Sequence, residues 1–471
     1  MPLEGRGRQM VEQSRETPAA HRSGEAVATK LLRVEAKARQ EHGLKFVNLY
    51  YLMNEELLLR CFKQLKENKA AGIDKVTKEQ YAEKLEANLE DLVNRLQRMA
   101  YRPQPVRRVY IPKAGSHKQR PLGIPCVEDK LVQAALARIL GAIYEADFIE
   151  NSYGFRPGRS CHDALRELSQ TVEWESTNYI AEVDIKGFFD NVEQDWMMKM
   201  LGHRIGDQRV LRLVKRFLKS GVMEQGEIRT SEEGVPQGGS ISPVLANVYL
   251  HYALDLWFEK VYRKSCKGKA KLIRYADDFV VCFQHREDAT GFPTALTERL
   301  DKFGLEVEPT KTKVLEFGRD AVRQARARGE RPGTFEFLGF THYCSRTKDG
   351  KRFRMKRVTS RQKLRAKLAK LKESLKQKRV LPTRWILEQV GRKLRGHYSY
   401  YGVSDNHRGL VRFYREATKL LYKWLNRRSQ RRSYTWTEFK KLLHYFPLPQ
   451  PHVRVHLFYR PAHDCLGSRV R

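Results

Sequence analysis

The stretch Lys271 to Phe283, reading KLIRYADDFVVCF, constrains this chain more than any other. Two adjacent carboxylates, Asp277 and Asp278, sit between short runs rich in β-branched and aromatic residues, Leu272–Ile273 and Phe279–Phe283. Runs of that length flanking a polar pair predict a β-hairpin with the acids at its turn. Neighbouring carboxylates repel, and burying them unpaired is costly, so a tight apolar hairpin presenting both calls for a neutralising cation. A hard divalent ion that takes oxygen ligands, magnesium first, suits these donors. Taken alone the pair also reads as a solvated Asp-Asp turn, and the sequence upstream decides between the two.

The charge balance points the same way. Over 471 residues, Lys and Arg outnumber Asp and Glu by 90 to 55, a net +35 that recurs along the whole length. Self-repulsion of that size would destabilise the free protein, so a large polyanion is implied, most simply nucleic acid. A membrane partner is not: there is no basic amphipathic anchor or lipidation signal, and no apolar run near the roughly eighteen residues of a spanning helix. Residues 1–40 lack a signal-peptide core and carry Glu4, Glu12, Glu16 and Glu25, which argues against an organellar transit peptide. A cytosolic location is expected. The seven cysteines are scattered without a C-x-x-C, against a disulfide framework or a structural zinc site.

Along the chain, residues 1–40 are polar and poor in aromatics and read as flexible until a partner orders them. Asn54 followed by EELLLRCFKQLKEN reads as a capped amphipathic helix. VRRVYIPKAGSHKQRPLGIP reads as a basic hairpin carrying Arg107, Arg108, Lys113, Lys118 and Arg120, a clamp for phosphates if it faces a metal site. In YGFRPGRS, Arg156 and Arg159 are candidates to hold backbone phosphates, and His162 just beyond reads as a packing or capping residue. YIAEVDIKGFFDNV predicts a buried strand ending at Asp184, where an acid is well placed to ligate a metal. GVPQGGSISPVLANVYLHYALDLWF runs from a Gly-rich loop, whose backbone can approach a strand or nucleotide, into an apolar helix. FEFLGFTHYC is a strand pair bent at Gly339. From Val358 on, leucines 364, 368, 371 and 375 form a helical stripe on an otherwise basic helix, and further helices around Ile386–Leu394 and Leu410–Arg427 are joined by RGHYSYYGVSDNHRG. This aromatic-laced, basic tail suits gripping RNA. The alternation up to Cys344 gives an α+β fold with a mostly antiparallel sheet.

In order, IPK, RPLGIP, YGFRPGRS, DIKGFFD, VPQGGSISP, YADD, PTKTK and FEFLGF resemble the fingers and palm of a reverse transcriptase, and LRGHYSYYG with YKWLNRRSQRRSYTWTEF resembles the thumb or maturase domain of bacterial group II intron-encoded proteins. The likeness spans roughly residues 45–450. It implies a right-hand polymerase with a flexible segment 1–40, fingers and the start of the palm over 41–178, the palm over 179–350, a helical thumb or maturase domain over 355–445 and a short tail over 446–471. It implies an RNA-directed DNA polymerase that binds its intron RNA to assist splicing and copies an RNA template from a DNA primer or target DNA with dNTPs, in a bacterial cytoplasmic ribonucleoprotein. By the same resemblance Asp184, Asp277 and Asp278, with the Ile185 carbonyl, hold two Mg2+ ions, for which Mn2+ is a possible substitute. Lys113 and Arg120 grip the triphosphate, with Gln237 and Lys311 by the nucleotide. Phe189 is the steric gate against a ribose 2′-hydroxyl, with Phe188 as the alternative if the register slips by one. Phe337, Leu338 and Gly339 form the primer grip. The outward basic face of the tail, Arg365, Lys367, Lys370, Lys372, Arg392, Lys393 and Arg395, holds RNA.

The sequence after Pro447 is too short and too poor in cysteine for the endonuclease many intron proteins carry, so second-strand cleavage is not expected. Two other readings stand beside the leading one: an RNA-binding splicing factor with a relict polymerase fold, which the intact Asp184, Asp277 and Asp278 speak against, and a domesticated polymerase serving repair or defence.

Overall fold

The computed structural model describes residues 18–112, 119–224, 227–229, 234–235, 238–347, 349–429 and 433–458. Its strands follow the chain as β1 (Val106–Pro112), β2 (Gln119–Ile124), β3 (Tyr179–Val183), β4 (Ile185–Lys186), β5 (Val222–Glu224), β6 (Glu227–Arg229), β7 (Ala270–Tyr275), β8 (Asp278–Phe283), β9 (Glu306–Val307), β10 (Lys313–Glu316), β11 (Thr334–Phe337), β12 (Phe340–Arg346) and β13 (Phe353–Thr359).

The central sheet runs β10-β3-β8-β7, antiparallel throughout. In its interior strand β8, Phe279–Phe283 is an unbroken apolar run because both faces are covered. Phe279, Val281 and Phe283 of β8 with Ala181 and Val183 of β3 enter one core, which extends to the N-terminal helices. Val280 and Cys282 with Ile180 enter a second core shared with the tail helices. The tail therefore has no separate core: Leu364, Leu371 and Leu375 of the helix Arg361–Gln377, the expected stripe, pack in the same cluster as the back of the sheet.

The basic hairpin forms as expected, β1 against β2, and extends through a parallel β1–β5 pairing to β6. β11, β12 and β13 make a third, antiparallel sheet, and the β11–β12 turn places Leu338 and Gly339 at φ +49° and +76°. Asn54 caps its helix, accepting from the Leu57 amide at 3.0 Å. Among the described residues no helix is long and apolar enough to cross a membrane.

Three expectations fail here. Of the segment 1–40 read as flexible, residues 1–17 lie outside the described residues and residues 18–40 are a helix. Val27 and Ala38 are buried and Leu31 and Val34 pack beside them, a stripe of small apolar side chains that the polar composition hid. RGHYSYY is no connector: the helix Thr383–Tyr401 runs through it. Its aromatics are core and not an RNA-stacking surface, since Tyr398 and Tyr401 are buried and His397 stacks on Phe413 at 3.8 Å between ring centroids.

Candidate active site

Register brings the acids together. Tyr275 pairs with Asp278, which leaves Ala276 and Asp277 as a two-residue turn. On the other edge of β8, Val183 pairs with Phe279, so the next residue of the β3 strand line, Asp184, comes out beside Asp278. Three acidic residues from two distant stretches thus come to the same end of the sheet. Asp278 is reached by solvent yet stands deep among protein atoms, and that desolvation, then Asp277 and Asp184, raise its pKa to about 6.

Cations face these acids. Lys311, on the turn Pro309–Lys311, pairs with the Asp184 carboxylate, which raises the lysine's pKa. The Asp184 carbonyl accepts the Glu308 amide at 2.8 Å, fixing this turn beside β3. Lys363, on the first turn of the tail helix, lies near enough to favour the charged form of Asp278, a contribution that sequence reasoning missed. The donors expected, three carboxylates and the Ile185 carbonyl, are all oxygens, the set that magnesium takes, so the residues fit the cation chemically. They are not drawn into a tight ligand set: among the described residues no three His, Cys, Asp or Glu side chains stand close enough to hold a metal. Like charges repel, and Lys311 already answers Asp184.

Phe188 and Phe189 separate cleanly. Phe188 is in the core at 3% exposure, edge-on to Tyr249, whereas Phe189 is only partly buried. Of the two, only Phe189 retains a surface for a ligand. Ile185 is buried on β4, paired with Val307. Arg120 is exposed on β2. Lys113 and Gln237 lie outside the described residues. The Gly-rich loop packs on the hairpin: a Cβ at Gly238, where φ is +114°, would stand 2.4 Å from the Gly123 carbonyl oxygen.

Other expected contacts are corrected. Arg156 holds no phosphate: 6% exposed, it donates to Glu145 at 2.7–3.1 Å and to the Ile149 and Ser152 carbonyls at 2.6 and 2.8 Å. Arg159, by contrast, stays partly exposed, lying over Tyr153 and donating to the Glu150 carbonyl, which leaves its expected phosphate contact untouched. The Phe337 and Leu338 side chains are buried and so present no surface to a primer. Gly339 fits because a Cβ there would meet the Tyr401 hydroxyl at 2.9 Å. His162 packs as expected, its Nε2 2.9 Å from the Tyr400 carbonyl. On the tail, Arg365, Lys370, Lys372, Arg392, Lys393 and Arg395 are exposed. Lys367 is not outward: it turns onto the Tyr401 ring at 4.4 Å, and burial lowers its pKa to about 8.

Beside this antiparallel sheet with acids on two adjacent strands, a basic hairpin before it and helices behind it, residues 111–342 match the family described as reverse transcriptase (RNA-dependent DNA polymerase). Similar curated proteins include one encoded by a group II intron. The chain is 37% identical over 222 residues to group II intron-encoded protein LtrA of Lactococcus lactis subsp. cremoris, covering 47% of this chain and 37% of that protein. It is 37% identical over 238 residues to protein YkfC of Escherichia coli K12, covering 45% and 62%. To an uncharacterized 91 kDa protein in the cob intron of Schizosaccharomyces pombe it is 30% identical over 321 residues, covering 57% and 39%. The chain thus spans less than two thirds of the length of each of these relatives.

Proposed function

We propose that this chain is an RNA-directed DNA polymerase encoded by a group II intron, which binds its intron RNA through the tail, assists its splicing and copies it into DNA during retrohoming. The observation that carries the reading is the register that brings Asp184 beside Asp278 with Asp277 on the adjoining turn. In the reaction the primer 3′-hydroxyl loses its proton, its oxygen bonds to the α-phosphorus of a dNTP, and the bond to the leaving pyrophosphate breaks. Asp184, Asp277 and Asp278 would hold two Mg2+ ions, or Mn2+ in their place, which when bound lower the pKa of the 3′-hydroxyl and steady the pyrophosphate.

The remaining roles belong to the chain's own groups. Lys311 is free to leave Asp184 for the triphosphate once that carboxylate has another cation, while Lys113, Arg120 and Gln237 would contact the nucleotide. Phe189 would bar a ribose 2′-hydroxyl by bulk. The main chain at Leu338 and Gly339, and not their side chains, would meet the primer. Arg365, Lys370, Lys372, Arg392, Lys393 and Arg395 would meet RNA phosphates, in a cytoplasmic, nucleoid-associated bacterial ribonucleoprotein. Extension of a DNA primer on a homopolymer RNA template with Mg2+ tests the reading: dNTP incorporation that Asp277→Ala removes is expected, and no incorporation by the parent chain overturns it.

A further inference from the structure

Arg274 and Asp255 are sealed in the palm at 0% exposure each, although Arg274 stands in the middle of an apolar strand three residues before Asp277. A charge in that position needs a partner reached through the fold. Its Nε and Nη2 donate to the two Asp255 carboxylate oxygens at 2.8 and 2.5 Å. Its Nη1 turns the other way and donates, at 3.0 Å each, to Asn247 Oδ1 and to the carbonyl of Ala276, the first residue of the acidic turn. Asn247, 1% exposed, donates its side-chain amide to the Gly154 carbonyl at 2.7 Å.

The YGFRPG segment closes this arrangement from the other side. The Arg274 amide donates to the Asn151 carbonyl and the Arg274 carbonyl accepts from the Tyr153 amide, both at 2.9 Å. Gly154 then lies so close to the turn that a Cβ there would stand 2.2 Å from the Ala276 nitrogen. Arg156 anchors the same segment to Glu145. Asp255 sits on the π turn His251–Asp255 that follows the helix Ser242–Leu250, and such turns often mark functional positions. The residue so enclosed is itself strained: Ala276 has φ +57°, a conformation that a residue bearing a Cβ adopts only when its surroundings impose it.

We propose that Arg274, Asp255 and Asn247 form an internal brace, positioning residues that hold Ala276 in its left-handed conformation and thereby aim Asp277 and Asp278. None of the three touches the reacting groups. The kinetic consequence rests on the polymerase reading above; the conformational one does not.

The test uses the full chain with Arg274→Met and Asp255→Leu together, since apolar replacement of a buried ion pair commonly leaves stability near the parent's, and separately the milder Asn247→Ala. Amide exchange read by mass spectrometry is expected to quicken about tenfold in the peptide spanning Ile273–Phe279, while β3 and the far end of β8 stay protected. In primer extension the double variant should lose about ten- to a hundredfold in kcat with the dNTP KM within about threefold, because misplacement by an ångström is enough for that. Asn247→Ala should move both readouts the same way by less. Folded variants with unchanged turn exchange and unchanged kcat overturn the brace, as does failure of both variants to fold, which would make the cluster purely structural. A parent chain that makes no DNA defeats the polymerase reading alone, and turn exchange then decides the brace.

Discussion

The palm sheet and the tail helices use positive charge in opposite ways. In the palm nearly every cation near the sheet meets an acid: Arg274 with Asp255, Lys271 with Glu167 and Glu175, Lys313 with Glu182, Lys311 with Asp184. Across residues 355–445 there are 26 Lys and Arg against 5 Asp and Glu, so the tail itself supplies acids for few of its cations. For the buried Arg274 and the largely covered Lys271 the difference follows from solvent, while the half-exposed Lys311 and Lys313 pair because the fold sets an acid beside each. A buried cation is stable only beside a partner, whereas an exposed one keeps a loose counterion that a phosphate can displace. The palm's charges are spent on shape, and the tail's remain available for a polyanion.

The sharpest way to break this division is at the acids. Asp277→Ala or Asp184→Ala should lower DNA synthesis about a thousandfold or more by removing a metal position, while RNA affinity in filter binding stays within about twofold because many phosphate contacts share it. A variant that keeps extending primers, or whose RNA affinity falls to match, would put catalysis and gripping in the same region.

The two phenylalanines come next. Phe188→Ala should cost about 3–5 kcal/mol of stability in chemical denaturation, as core aromatics do. Phe189→Ala should cost far less and instead raise ribonucleotide over deoxyribonucleotide incorporation. Gate behaviour in the Phe188 variant would shift the site by one residue.

Charge reversal of Lys370, Lys372, Arg392 and Arg395 to Glu should weaken intron RNA binding and flatten its log–log salt dependence by about 0.7 to 0.9 for each phosphate no longer neutralised. Extension of a short primer on a generic template should fall much less. If polymerisation collapses while the salt slope holds, the tail serves only as a thumb.

The smallest effect belongs to Lys367, the tail cation that behaves like a palm residue. Desolvation lowers its pKa to about 8, against about 10.4 in an unfolded chain. The unfolded state therefore binds more protons between those values, and stability rises with pH across that window; below pH 8 the fold keeps a charged ammonium between the Tyr400 and Tyr401 rings, near His397. Lys367→Met should raise Tm at pH 7, by less at pH 10, and leave RNA affinity unchanged. A drop in RNA affinity would return Lys367 to the outward face.

Much of this was legible in the chain. KLIRYADDFVVCF announced a hairpin with acids at its turn because strand pattern and turn chemistry are local properties. FEFLGF likewise announced its bend, and the leucines at 364, 371 and 375 the buried stripe of the tail helix. Arg156 and Arg274 show the limit. The two arginines share one side-chain chemistry and an apolar or glycine-rich neighbourhood; local pattern pointed the first toward a phosphate and gave the second no role, and both prove to be buried supports. An arginine inside an apolar strand was itself the available signal, since such a charge demands a buried partner.

The sequence by itself determined the strand and helix periods, the position of the three acids at element ends and the basic excess of the tail, since these follow from side-chain spacing along a few turns or pleats. Only the tertiary structure decided which cations face inward, that Phe188 is core while Phe189 keeps an open surface, and that Arg274, held by Asp255 and Asn247, meets Gly154 at Ala276. Burial and ion pairing depend on partners far along the chain, as Arg357 reaching Ser169 across 188 positions illustrates, and no local pattern records which residues the fold will bring there.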